Sequence, residues 1–248
     1  MKLALLGYGK MGQIIERLAL ERGHEVVLKI HIDNIDELTT SNLRKADVAI
    51  DFSAPSAALS NIYACFDANI PVVVGTTGWY GELQQVKNDC LDRNNTLLYG
   101  SNFSIGVNLF FHINEVMARL MNKFPDYEVQ VEEIHHTEKL DAPSGTAMTI
   151  AEGIIENLDR KEEWVNEVEG TPFDEVVKED QLLITSQRIE NVPGTHTVVY
   201  SSEVDEIELK HTAHSRAGFA LGAVIAAEWL QHKQGFYNIA DIFNFNKS

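Results

Sequence analysis

The sequence predicts an α/β protein: a doubly wound parallel sheet, followed by a C-terminal α+β domain with an open mixed sheet. Three observations carry this. Strand-length apolar runs alternate with helix-length amphipathic stretches through the first hundred residues. A G-x-G-x-x-G loop, Gly7-Tyr8-Gly9-Lys10-Met11-Gly12, stands between the first apolar run and the first helix. From Tyr127 onward the alternation breaks, and strands begin to follow one another.

Taken in order, residues 2–6 read as a buried strand, 13–22 as a helix stopped by Gly23, and 26–30 as a second strand. Strands over 47–52, 70–74 and 96–99 alternate with helices over 56–68 and 81–94. Helices between apolar strands imply a parallel sheet of the Rossmann type. Residues 107–123 read as a long helix. In the next segment Tyr127, Val129 and Val131 alternate with Glu128, Gln130 and Glu132, as in a half-buried strand. A helix over 144–158 and strands over 182–188, 197–202 and 206–211 follow, with the polar, acidic stretch 159–180 as a surface excursion. The small-residue helix 216–229 is expected to return to the first domain. The expected division is 1–103 with 215–248 for dinucleotide binding, and 104–214 for substrate binding and oligomerisation.

The glycine loop has the context its chemistry needs. Gly7 permits the tight turn, Gly9 lets backbone approach a pyrophosphate, and Gly12 allows close helix–strand packing. The helix N-terminus offers free N–H groups and a positive dipole end, and Lys10 adds charge. The acid expected about twenty residues on is Asp33, three residues past the strand end at Ile30, while His31 lies nearer the strand tip. Either could meet the adenine ribose. No arginine stands beside them for a 2′-phosphate, although Lys29 is near, so NADH is favoured over NADPH. Gly75-Thr76-Thr77-Gly78 and Gly100-Ser101-Asn102-Phe103 follow strands of the same sheet, where ribose and nicotinamide are expected.

The bulk numbers narrow the partners. A net charge of −17 disfavours nucleic acid and anionic membrane. An anionic substrate then needs a local basic pocket. Cys65 and Cys90 form no CxxC pair and read as buried free thiols. No run reaches the length of a membrane span, and the start lacks a signal-peptide pattern, so a cytoplasmic protein is expected.

The most informative stretch is Glu133-Ile134-His135-His136-Thr137-Glu138-Lys139-Leu140-Asp141-Ala142-Pro143-Ser144-Gly145-Thr146. Two histidines and a lysine make a compact cationic group in an acidic protein. A histidine can give a proton near neutrality, and a lysine can fix a carboxylate or assist that transfer. Ser144 is a candidate N-cap, after which Gly145 and Thr146 present N–H groups at a helix N-terminus, suited to a carboxylate. A metal site from Glu132, Glu133, His135 and His136 is disfavoured, because neighbouring strand residues face opposite ways and no H-E-x-x-H or Cys/His spacing exists. Solvated loop histidines are the plain structural alternative.

The run Glu133-Ile134-His135-His136, then Lys139 and Asp141-Ala142-Pro143-Ser144-Gly145-Thr146-Ala147, closely resembles the signature of the dihydrodipicolinate reductase family. Gly7–Gly12, Asp51-Phe52-Ser53, Gly75–Gly78, Asn102–Asn108, Gly194-Thr195-His196 and Phe219–Ala223 fall in family order across nearly the whole chain. The resemblance implies NAD(P)H-dependent reduction of 4-hydroxy-2,3,4,5-tetrahydrodipicolinate, a small dicarboxylate, with loss of water, and a homotetramer. It implies that His135 donates the proton with Lys139 as partner, and that His136, Gly145 and Thr146 hold substrate carboxylates. Two departures lie outside this centre: Ile189-Glu190 follow Arg188 where paired glycines are common, and Thr212 follows His211 where an arginine is common. The competing readings are another two-domain dehydrogenase, which has no need of the His135–Thr146 block, and a regulatory nucleotide-binding protein, which has no need of His135 and Lys139.

Overall fold

A computed structural model describes residues 1–174 and 176–243. The chain forms two compact units, Met1–Ile105 with the segment from Arg216 onward, and Gly106–Ser215. The first unit opens with β1 (Lys2–Leu6), α1 (Lys10–Glu21), β2 (Glu25–Ile30), α2 (Thr40–Leu43), β3 (Val48–Asp51), α3 (Pro55–Ala68), β4 (Val72–Val74), α4 (Leu83–Asp92) and β5 (Thr96–Tyr99). Then come α5 (Ile105–Met121), β6 (Glu128–His135), α6 (Gly145–Ile155), β7 (Glu163–Val168), β8 (Gln181–Arg188), β9 (Thr195–Ser201) and β10 (Glu206–Thr212). The first unit is completed by α7 (Ala217–Leu230) and β11 (Gly235–Asn238).

The first sheet has six strands in the order β11-β5-β4-β3-β1-β2, all pairings parallel. The chain leaves β1 for β2 on one side and returns to β3 on the other, so the direction of winding switches beside β1. A crevice for ligand opens at the carboxyl ends of strands at such a point. The central strands are buried on both faces, as their unbroken apolar runs require: Leu3, Ala4, Leu6, Val72, Val73 and Val74 are all fully covered. Local signals set the helix ends. Pro55 stands at the first position of α3, and Asn69 closes it in the left-handed conformation at φ 55°.

Helix α7 is apolar all round and correspondingly buried. Ala220, Ala223, Val224 and Ala227 share a core with Leu5, Ile50, Val73, Leu98 and Phe103. Small residues allow this close approach. At Gly222 a Cβ atom would overlap the carbonyl of Phe103, so the helix seats on that backbone only because the side chain is missing.

The second sheet runs β10-β9-β6-β8-β7. Strand β6 pairs parallel with β8 and antiparallel with β9, so the sheet is mixed, as expected. Its core joins Val129, Val131, Ile184, Val198 and Tyr200 to Ile150, Ala151 and Ile154 of α6. Three sequence expectations change. The stretch 159–180 is more than an excursion, since it contains β7, an edge strand paired with β8. An edge strand is covered on one side only, and the half-buried, acid-interrupted residues of β7 give no clean alternation. Strand β11 went unread for the same reason, being four half-buried residues at the other sheet's edge. Helix α1 starts at Lys10, not Gln13, so Lys10, Met11 and Gly12 belong to its first turn.

Gly222→Ala is expected to destabilise the protein by about 1–3 kcal/mol through overpacking. Thermal unfolding measures this, and an unchanged midpoint would mean that α7 does not rest on the Phe103 carbonyl.

Candidate active site

In the first unit, each expected loop lies at the carboxyl end of a strand. Gly7 takes φ +96°, and a side chain there would run into the Phe52 backbone. At Gly12 a Cβ would stand 2.5 Å from the Gly7 carbonyl oxygen, whereas at Gly9, the N-cap of α1, it would meet nothing within 4 Å. Two glycines therefore serve packing, and the middle one leaves backbone open to a ligand. Tyr8 donates to the Glu16 carboxylate, and Lys29 donates to the same group at 2.9 Å while lying 5.0 Å above the Tyr8 ring. The Glu16 hydrogen bond raises the lysine's affinity for its proton. Past β2, His31 Nδ1 lies 2.9 Å from Asp33 Oδ2, and both side chains are solvent-exposed.

Several of the remaining loop side chains are committed to the fold. Thr76 is buried, its hydroxyl accepts from Ser53 N–H at 2.8 Å, and its carbonyl accepts from the Trp79 indole at 2.9 Å. Phe103 is buried and packs edge-on to Phe52. At Gly75 a Cβ would enter the Phe52 ring, and at Gly100 it would press on Ile239 at 2.8 Å. Asn102 accepts from Ser104 N–H at 2.9 Å, while Thr77 and Ser101 are exposed.

The second unit gathers its chemistry around β6. The buried face of that strand runs Val129, Val131, Glu133, His135. Register sets Glu133 opposite Ser186 of β8 and His196 of β9, and His135 opposite Arg188 of β8. Glu133 is fully buried. It accepts from Ser144 N–H at 3.1 Å, from the Ser186 hydroxyl at 2.9 Å and from the Arg188 guanidinium at 3.2 Å. His135 Nδ1 stands 3.2 Å from its other oxygen, as a charge contact rather than an aligned hydrogen bond, and His196 Nε2 lies 3.9 Å away. Burial alone would raise the Glu133 carboxyl, but the contacts with His135, Ser144 and Ser186 outweigh it and hold the group well below the usual carboxylate range.

Burial, reinforced by the charge of His135, pushes His196 down to about 3. It is therefore neutral near pH 7, and its Nε2, 3.2 Å from Ser144 Oγ, can accept that hydroxyl's proton. The same oxygen caps α6 by accepting from Ala147 N–H at 3.2 Å. Gly145 and Thr146 follow as the first residues of the helix, where N–H groups have no intrahelical partner. Gly145 is exposed, and a Cβ there would meet nothing within 4 Å.

Lys139 donates to both Asp141 oxygens at 2.8 Å, and this ammonium holds the Asp141 carboxyl low. Arg188 fastens the loop that carries them, donating to the carbonyls of Lys139 at 3.3 Å and Asp141 at 2.6 Å. His136 is half-buried, with its Nδ1 covered and unbonded. The unit thus brings His135, Lys139 and the α6 N-terminus into one network through Glu133 and Arg188. Among the described residues, Glu133, His135 and His196 form the one group with donor atoms as close as 4.8 Å. The Glu133 oxygens already take a guanidinium, an amide and a hydroxyl.

The roles of Glu133, Ser186, Arg188 and His196 in this network escaped the sequence reading. A signal existed for the first: Glu133 and His135 continue the every-second-residue core face of Val129 and Val131. The others depend on strand register.

A glycine loop on a doubly wound parallel sheet, joined to a mixed-sheet unit bearing a histidine, a lysine and an open helix N-terminus, defines a two-domain nucleotide-dependent reductase. The chain belongs to the dihydrodipicolinate reductase family: the family's N-terminus matches residues 1–103 and its C-terminus residues 106–243. It is 47% identical over 244 residues to the 4-hydroxy-tetrahydrodipicolinate reductase of Christiangramia forsetii, covering 98% of each chain. It is 34% identical to the enzyme of that name from Neisseria meningitidis serogroup B, over 93% of this chain and 84% of that one. In fold it matches a dipicolinate-bound dihydrodipicolinate reductase from Paenisporosarcina sp. TG-14, with TM-score 0.78 at 23% identity, over 98% and 99% of the two chains.

The folded-state value of about 3 for His196 lies below its unfolded value of about 6.5. As pH falls, the unfolded chain takes up this proton first. The stability tied to a neutral His196 is complete above about pH 6.5 and drains away toward 3, by up to about 1.4 kcal/mol per pH unit. Thermal midpoints across this window are expected to fall more steeply for the parent than for His196→Gln, and parallel curves would contradict the assignment.

Proposed function

We propose that the protein catalyses the NAD(P)H-dependent reduction of 4-hydroxy-2,3,4,5-tetrahydrodipicolinate to tetrahydrodipicolinate, with loss of water, in lysine and diaminopimelate biosynthesis. The observation that carries this reading is the second-unit network, in which a buried carboxylate ties His135 to the open α6 N-terminus, with Lys139 on a loop clamped by Arg188. Family membership and 47% identity over nearly the whole length to an enzyme of that name support the substrate.

Bound NAD(P)H would supply a hydride to one ring carbon. The chain must supply a proton to the neighbouring atom, and His135 is read as its donor: Nδ1 is turned to Glu133, which leaves Nε2 for the substrate. An acid that titrates near the working pH suits this step. Lys139 meets a substrate carboxylate, for which its Asp141 partner is a stand-in. Gly145 and Thr146 N–H groups, the Thr146 hydroxyl and His136 hold carboxylate oxygens. Hydride, proton and released water balance the reduction.

The first unit is read as the coenzyme domain. Backbone of Gly7, Tyr8, Gly9, Lys10, Met11 and Gly12 receives the pyrophosphate. Gly75, Thr76, Thr77, Gly100, Ser101, Asn102 and Phe103 line the ribose and nicotinamide side, the buried ones through backbone. Asp33 meets the adenine ribose. Lys29 is already engaged by Glu16 and offers little to a 2′-phosphate, which favours NADH. No metal takes part. The second unit binds substrate and carries the contacts of a homotetramer. An exposed apolar row on α5, Leu109, Ile113, Val116 and Leu120, is consistent with self-association. No described helix is long and apolar enough to cross a membrane. The proposed pathway supports a cytoplasmic enzyme, with neither nucleic acid nor membrane as partner.

The test supplies enzymatically generated hydroxy-tetrahydrodipicolinate and follows NADH and NADPH oxidation. Turnover is expected with at least one coenzyme, faster with NADH, and none with either would overturn the reading. His135→Gln is expected to lower kcat by about 10²–10⁴-fold with coenzyme affinity unchanged, and an unchanged kcat would remove His135 from its role. Thr146→Val is expected to act mainly on substrate KM, raising it about ten-fold for a lost hydrogen bond to a charged group. An unaltered KM would count against the carboxylate site.

A further inference from the structure

We propose that Glu133 is a positioning residue for the proton transfer: its buried carboxylate holds the His135 ring with Nδ1 inward, leaves Nε2 as the proton-giving atom, and ties that ring to the helix end that receives the substrate. The inference rests on the function proposed above and adds to it a group that touches neither substrate nor coenzyme.

Four observations carry it. First, Glu133 is fully buried, and a carboxylate is kept charged in such a place only by donors. It has three hydrogen-bond donors from two segments: Ser144 N–H at the start of α6, and the Ser186 hydroxyl and Arg188 guanidinium of β8. Second, His135 Nδ1 is buried without an aligned hydrogen bond and has the Glu133 oxygen 3.2 Å away. A ring so placed is held with Nδ1 turned toward the carboxylate. Third, the opposite edge of the ring lies against Gly194. A Cβ at Gly194 would come to 3.0 Å from His135 Nε2, so glycine at this position spares the atom that must reach substrate. Fourth, Ser144 joins the two halves, because its N–H binds Glu133 while its hydroxyl caps α6.

The charges around the ring leave Glu133 as the decisive one. On β9, His196 stands edge-on at 5.1 Å between ring centres and is neutral. On β10, His211 is paired in register with His196 and lies beyond it. On β8, Arg188 sits opposite His135 in register, with its guanidinium on the far oxygen of Glu133. On the loop, Lys139 is paired with Asp141. Arg188 and Glu133 therefore act on His135 in opposite senses. The anion favours the charged ring, and the guanidinium tempers that anion.

The opposition gives a test that a merely structural role would not pass. Glu133→Gln keeps the side chain's size and one acceptor but removes the charge. Its kcat is expected to fall about ten-fold or more on the alkaline side, and the alkaline limb of its kcat–pH profile to move about one pH unit lower. Coenzyme KM should stay within about two-fold, as for a lesion confined to the chemical step. Arg188→Gln is expected to move the limb the other way, to higher pH. A limb in Glu133→Gln that coincides with the parent's, or an Arg188→Gln limb that stays put or moves down, would overturn the proposal. Should Glu133→Gln fail to fold, the direction of the Arg188→Gln shift decides alone. Turnover by the parent enzyme is established first, so a failure of the functional reading is seen there and kept apart from a failure of this one.

Discussion

A carboxylate buried in the middle of a β-sheet is expensive, and the second unit is arranged around keeping one there. An isolated buried charge would cost several kcal/mol even after relaxation. Glu133 is accommodated because β8 brings Ser186 and Arg188, β9 brings His196, and the chain after β6 doubles back to place Ser144 N–H on the same oxygens. The parts of the proposed site are tied to that constraint: His135 is two residues along the same strand face, the residue that binds Glu133 caps α6, and the Lys139 loop is held by Arg188, which also binds Glu133.

The first unit solves a different problem, which is to leave backbone accessible. Its polar loop side chains largely serve the fold: Thr76 holds Ser53 and Trp79, and Lys29 and Tyr8 close on Glu16. Its glycines clear space where side chains would collide with Phe52, Gly7 or Ile239. What stays open is main chain at the start of α1, the feature a pyrophosphate recognises without charged side chains. An acidic protein can bind anionic ligands at such helix ends while its surface repels polyanions.

Much of this was legible in the sequence because it is local. Strong periodicity marks the central strands, and glycine spacing marks the first loop. The Ser144 cap is recognisable from the residues beside it, and His135, Lys139 and Thr146 lie within one short run. What was not legible depends on pairing across distance. Arg188 and His196 become neighbours of Glu133 only through the register of β6 with β8 and β9. The role of Glu133 was half visible, since it shares a face with Val129 and Val131, but a charged residue on a core face looks like a break in the pattern until its donors are known. The edge strands β7 and β11 lacked a pattern because they are only half covered. Asp33 and His31, the candidates for the adenine ribose, are exposed, and packing leaves no periodic trace there.

The central claim is that the α6 N-terminus and His135 act together on one dicarboxylate, held in register by Glu133. A crystal structure with NADH and pyridine-2,6-dicarboxylate tests it most directly. The account predicts one ligand carboxylate within hydrogen-bond reach of the Gly145 and Thr146 N–H groups, the ring edge toward His135 Nε2, and Glu133 still bound to Ser144. A ligand whose carboxylates rest on other residues, with those N–H groups left to water, would contradict it.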